Sequence, residues 1–161
     1  MTITLHETRV RSVLDRLFGA AGADDNFDAP RDVVRTGSAQ ERADALAGVY
    51  MPISARGGEL LYGLVRSGRP ETVVEFGTSF GISTLYLAAA VADNGRGHVY
   101  GTEMSAVKVA AARKNLDEAG LGGVVTILPG DARQTGTSAS RSPSRTAWRS
   151  AAVRERITHG S

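Results

Sequence analysis

Three short stretches of this 161-residue chain carry residue types that can do chemistry together. The first is Glu75-Phe76-Gly77-Thr78-Ser79-Phe80-Gly81, with the spacing E-x-G-x-x-x-G. Glycines at such places let a ligand approach the backbone, and a helix that starts there offers free N–H groups. The second is Glu103, a carboxylate placed to accept hydrogen bonds from both hydroxyls of a ribose. The third is Gly130-Asp131-Ala132, where Asp131 could accept a hydrogen bond from an adenine amino group. Each has a plainer reading: a tight turn, a solvated charge, and an Asx-type turn or helix cap. Their weight comes from recurring at matching positions, each directly after a strand-like run.

Those runs are residues 72–76, 98–102 and 124–128, all rich in β-branched residues. Between them, residues 81–94 and a Ser105-capped stretch through Ala119 read as helices, punctuated by Gly120 and Gly122-Gly123. Strand–helix–strand–helix–strand with short links predicts a parallel sheet wound by right-handed crossovers. The three strand ends then share one edge, where open α/β sheets bind ligands. Ahead of the sheet, residues 7–21 form an amphipathic helix with Val10, Val13, Leu14, Leu17 and Phe18 at helical spacing. Residues 22–37 read as a surface loop. Ser38 with Glu41 makes a capping box for a helix reaching about Tyr50, which Pro52 ends. A further helix over residues 54–67 places Leu60, Leu61, Leu64 and Val65 on its apolar side.

The chain has no cysteine, which excludes a disulfide framework and a thiolate metal site and fits a reducing compartment. Its N-terminus lacks an uninterrupted apolar run, so neither a signal peptide nor a membrane span is expected, and the cytoplasm is the expected location. Residues 1–132 carry 13 Lys+Arg against 16 Asp+Glu, whereas residues 133–161 carry six Arg against one acid. The 28 residues after Arg133 include six Ser, four Thr and five Arg, with no Leu or Phe. That composition predicts disorder, and its abrupt onset predicts out-of-frame or otherwise aberrant sequence. Read as a genuine basic arm it would point to nucleic acid. It has no lysine, no nucleic-acid motif and a single aromatic, Trp148, so that reading is disfavoured.

The stretches VVEFGTSFGISTLYLAAA, VYGTEMSAVKVAAARKNLDEAGL and VTILPGDAR resemble class I S-adenosylmethionine-dependent methyltransferases of the bacterial O-methyltransferase type. MPISARGGELLYGLVR resembles the segment before the first strand there. The resemblance implies an incomplete Rossmann-like α/β fold, about three parallel strands with crossover helices plus N-terminal helices. It divides the chain into a helical segment (residues 1–50), a cofactor-binding half-domain (51–133) and a basic tail (134–161). It also implies S-adenosylmethionine as cofactor. Glu75, Gly77, Ser79, Gly81 and Ser83 would line its methionine side, Glu103 would hold the ribose, and Met104, Asp131 and Ala132 would lie at the adenine. Ile53 and Ser54 would close over the methionine end. A nicotinamide or flavin dinucleotide is the competitor, but its G-x-G-x-x-G pattern is absent and Glu75 would repel a diphosphate. The ammonium and sulfonium of the methyl donor are attracted instead.

The implied partner is a small-molecule methyl acceptor, and the N-terminal helix could pack on a second copy as a homodimer. Strands beyond the third, with the acceptor residues and the divalent-metal carboxylates of metal-dependent members, have no matching positions here. The chain is therefore expected to keep the cofactor half, to be inactive alone, and to leave residues 73–76 on an unpaired apolar edge. A non-catalytic binder of the same cofactor is the alternative. His6, His98 and His159 are expected to be solvent-facing rather than catalytic.

Overall fold

The computed structural model describes residues 3–28 and 30–133. Its centre is a three-stranded parallel sheet in the order β1 (Thr72–Phe76), β2 (His98–Glu103), β3 (Val125–Pro129). Glu75 lies opposite Gly101, and Gly101 opposite Ile127, so the strands end level at Phe76, Glu103 and Pro129. The predicted common edge is therefore present. The tail after Arg133 and its expected disorder lie outside the described residues.

Side chains alternate across a strand, so this register places Val73, Val99, Val125 and Ile127 on one face. Val99 and Ile127 are buried there in the main core. The crossovers α5 (Ile82–Asn94) and α6 (Ala106–Glu118) supply most of the cover. α5 is apolar nearly all round, from Leu85 to Val91, because it is enclosed by the sheet, α1 (Thr8–Ala21) and α4 (Ala55–Gly68). α1 buries a single stripe, Val10, Val13, Leu14 and Leu17, as its spacing predicts. On the other face of the sheet Val74 and Phe76 are exposed, Phe76 by 70%. Among the described residues β1 pairs with β2 alone, so the expected open apolar edge is there.

The structure departs from the sequence expectations in the helices before the sheet. Leu60 and Leu64 are exposed, and α4 instead meets α5 through Gly58, Leu61, Tyr62 and Val65. Gly58 decides this rotation. The Tyr86 ring lies where a Gly58 Cβ would stand, so the helices approach along that line and Leu60 and Leu64 turn outward. The expected loop over residues 22–37 contains a 3-10 turn, Asp24–Asn26, and a short helix α2 (Arg31–Thr36). The next helix, α3 (Ala39–Ala45), has the predicted capping box but stops before Tyr50. Neither short helix buries a residue fully, and a helix with little tertiary packing has little to prolong it.

Asp93 ties the N-terminus to this body. It accepts from the Thr4 N–H (3.1 Å), the Thr4 hydroxyl (2.6 Å) and the Tyr62 hydroxyl (2.6 Å). Burial alone would raise the Asp93 pKa, but these bonds and the nearby Arg66 outweigh it and hold the group below the ordinary aspartate value. Tyr62 is pushed up to about 12 by burial and by Asp93. A depressed native pKa means that this stabilisation is complete above the unfolded-state value, near 3.9, and is lost as pH falls through the lower native one. Asp93→Ala is expected to cost about 1–3 kcal/mol in denaturant unfolding at neutral pH. The cost should shrink as the solution is acidified through that window.

Candidate functional site

The glycine loop after β1 is folded back on β2. The N–H groups of Gly77 and Thr78 both donate to the Thr102 carbonyl at 3.0 Å. Ser79 follows with φ 50°, a left-handed conformation uncommon for a residue with a Cβ. Two bonds hold it there: its N–H donates to Glu103 Oε2 (2.8 Å) and its hydroxyl to the Tyr50 carbonyl (2.9 Å). Gly81, at φ 91°, then opens α5.

Glu103 stands at the tip of β2. Its second carboxylate oxygen accepts from the Ser105 N–H at 2.9 Å, and its carbonyl accepts from the Gly130 N–H at 2.8 Å. One residue thus connects the tips of all three strands. Each carboxylate oxygen keeps a second lone-pair direction for another donor. Glu75, near the tip of β1, accepts from the hydroxyls of Ser83 and Thr84, each at 2.5 Å. Opposite it, a Cβ on Gly101 would stand 2.2 Å from Thr78 Oγ1, a buried oxygen without a hydrogen-bond partner among the described residues.

Two adjoining hollows open between these groups. The larger, about 430 Å³, is lined by Gly77, Ser79, Glu103, Met104, Asp131 and Ala132, with α3 as its far wall. The smaller, about 180 Å³, is lined by Glu75, Ser83, Ile53, Tyr50 and Phe80. Met51, Gly77 and Ser79 border both, so they form one crevice. Of the residues proposed from sequence, Gly81 and Ser54 line neither hollow. Gly81 is consumed as the N-cap position of α5, and Ser54 caps α4 by accepting from the Gly57 N–H. Sequence reasoning missed the α3 wall (Ala39, Arg42, Ala43 and Leu46) and also Lys108. Nothing in the spacing of α3 marks it, since it precedes the first strand by several elements.

Tyr50 stacks on Phe80 with centroids 4.0 Å apart, and the Lys108 ammonium lies 5.6 Å from the same ring. Burial lowers the Lys108 pKa, while the carboxylates of Glu103 and Asp24 act in the opposite direction. Asp24 accepts from the N–H groups of Tyr50 and Met51, at 2.9 and 2.8 Å, and so holds the segment that carries the stacked tyrosine. Asp131 accepts from the Arg133 N–H and guanidinium, which hold its carboxyl below the usual range. The turn reading of Asp131 is therefore realised, and its side chain still borders the larger hollow. His98 corrects an expectation. Its Nε2 lies 2.8 Å from the Thr126 hydroxyl, its ring is 4.8 Å from that of Tyr100, and burial lowers its pKa. It is partly enclosed by the sheet and sits at the end opposite the crevice.

Residues 74–150 match a family model described as a methyltransferase domain. The fold is shared with the O-methyltransferase from Bacillus cereus in complex with SAH, at 23% identity and a TM-score of 0.57 over 81% of this chain and 49% of that one. It is similar to the O-methyltransferase TomG from Streptomyces achromogenes, involved in tomaymycin synthesis and solved with SAM, at 26% identity and a TM-score of 0.54 over 79% and 48% of the two chains. The chain resembles the class I methyltransferases. Cofactor-bound Rv0187 from MTB is another solved structure like it, at 28% identity and a TM-score of 0.52 over 68% and 54%. The likeness extends to the O-methyltransferase type, and the architecture is part of a Rossmann-like methyltransferase fold. This chain spans about half the length of those three proteins. A search of curated proteins returns no match.

Among the described residues no group of three or more His, Cys, Asp or Glu is arranged to hold a metal ion, and no helix is long and apolar enough to cross a membrane. The contact between Gly101 and Thr78 makes the local packing of this methyltransferase-like loop testable. Gly101→Ala should destabilise the chain by about 1–3 kcal/mol in denaturant unfolding, because the added methyl must displace Thr78.

Proposed function

We propose that the crevice binds S-adenosylmethionine, adenosine in the larger hollow and methionine in the smaller, and that this chain is the donor-holding half of a small-molecule O-methyltransferase. The observation that carries the reading is the Glu103 carboxylate, fixed by the N–H groups of Ser79 and Ser105 with lone pairs to spare. A diol is the ligand group that such a preset pair of oxygens takes best. Met104, Asp131 and Ala132 border the same hollow and would flank the adenine. Glu75, with Ser83 beside it and the glycine-loop backbone opposite, would face the ammonium end. Two carboxylates in one crevice favour a cationic ligand over a diphosphate.

When bound, the cofactor supplies an electrophilic methyl on a sulfonium. The crevice residues orient the donor. Transfer needs an acceptor oxygen in line with the sulfur–methyl bond, which the remainder of a longer fold would bring. A non-catalytic holder of the same ligand would use these same groups.

Calorimetry should show saturable binding of S-adenosylhomocysteine. Glu103→Ala should weaken it by about 1–3 kcal/mol, the cost of leaving buried donors unpaired. An unchanged affinity in a folded variant removes Glu103 from the site. Assayed alone on phenolic acceptors with and without Mg²⁺, the chain should show no methyl transfer. Turnover would show that these residues suffice for catalysis.

A further inference from the structure

Lys108 lines the larger hollow beside Glu103, although the residue as a whole is only 3% exposed. It stands in the first turn of α6, and one cap relates it to the carboxylate. The Ser105 N–H donates to Glu103 Oε1 at 2.9 Å, and the Ser105 hydroxyl oxygen accepts from the Lys108 N–H. The two opposite charges are therefore placed on the same hollow by a short, hydrogen-bonded stretch of backbone.

They do not neutralise each other by contact. Among the described residues the Lys108 ammonium forms no ion pair and no hydrogen bond. It lies 5.6 Å from the centre of the Phe80 ring, which is itself stacked on Tyr50. An aromatic face attracts a cation without using up its three N–H donors. Asp24, a second carboxylate whose field reaches the ammonium, is already committed to the N–H groups of Tyr50 and Met51. A direct ion pair would have consumed the free lone pairs of Glu103. Held apart, the carboxylate keeps acceptors and the ammonium keeps donors. A hydroxyl serves both, since it gives its proton to one and its oxygen lone pair to the other.

We propose that Lys108 is a further ligand-binding residue of the crevice: one ribose hydroxyl donates to Glu103 and accepts from the Lys108 ammonium, so that the pair selects adenosyl ligands with an intact diol. This rests on the proposed adenosine-binding role of the larger hollow. Lys108 contributes affinity and selectivity there, and takes no part at the methyl group.

Calorimetry on the full chain tests this with S-adenosylhomocysteine and its 2′-deoxy and 3′-deoxy analogues, each against the unsubstituted protein and Lys108→Met. Methionine keeps an unbranched stem and removes the charge, an exchange that interiors tolerate. S-adenosylhomocysteine should bind Lys108→Met about tenfold more weakly. The analogue lacking the bridging hydroxyl should bind the two proteins within about twofold of each other. Equal affinity of S-adenosylhomocysteine for both proteins overturns the proposal. So does a loss in Lys108→Met that both deoxy analogues share in full, because that marks general damage to the hollow. A second measurement needs no substitution, as the chain has two lysines, Lys108 and the exposed Lys114. In carbon-13 NMR of lysine-labelled protein, the Lys108 Cε signal should shift to saturation with S-adenosylhomocysteine while that of Lys114 stays. An unmoved Lys108 signal at saturating ligand removes it from the site and leaves the donor reading intact. Failure of S-adenosylhomocysteine to bind the unsubstituted protein overturns that reading, and this inference with it.

Discussion

Glu103 is the point at which the site and the fold become the same thing. A carboxylate at a strand tip would ordinarily move freely in water. Here its two oxygens take the N–H groups of Ser79 and Ser105, and its carbonyl takes that of Gly130. The first bond helps hold Ser79 in a left-handed conformation, which shapes the glycine loop. The second satisfies an N–H at the start of α6, where an anion is favoured by the helix dipole. The third brings the turn after β3 up to the same edge. Without its carboxylate the three tips would still be level, since register sets that, but the Ser79 and Ser105 N–H groups would lose their shared acceptor.

The same constraint determines the electrostatics of the crevice. Glu75 and Glu103 are both committed through hydrogen bonds to fixed orientations, so little reorganisation is needed when a cation arrives. Lys108 adds the opposing charge, buried over Phe80 and within reach of the fields of Glu103 and Asp24. Asp24 grips the backbone at Tyr50 and Met51, and the Ser79 hydroxyl, donating to the Tyr50 carbonyl, links the wall that carries the Tyr50–Phe80 stack to the strand tips. The crevice is therefore bounded by segments far apart in the chain and fastened to one another by a few polar groups.

Much of the sheet was legible because its signals are local. β-branched runs ended by Gly77 and Glu103 mark strands, and the positive-φ glycines Gly81 and Gly120 mark the start of α5 and the end of α6. The loop residues Glu75, Gly77, Ser79 and Glu103 could be placed from those strands alone. What escaped depends on tertiary choice. Leu60 and Leu64 have helical spacing, but the approach allowed by Gly58 selects a different face. The α3 wall enters the crevice from an earlier part of the chain, with no periodic mark to announce it. His98 reads as a terminal polar residue, and only the pairing of β2 with β3 brings Thr126 to its ring.

A backbone-amide NMR titration with S-adenosylhomocysteine tests the central claim most directly. If three strand tips form one adenosyl site, the amides of Ser79, Ser105, Gly130 and Ala132 shift together and saturate at a common ligand concentration, while those of Gly58 and Tyr86 stay in place. Saturable shifts confined to other regions, or no response at the strand tips, would contradict it.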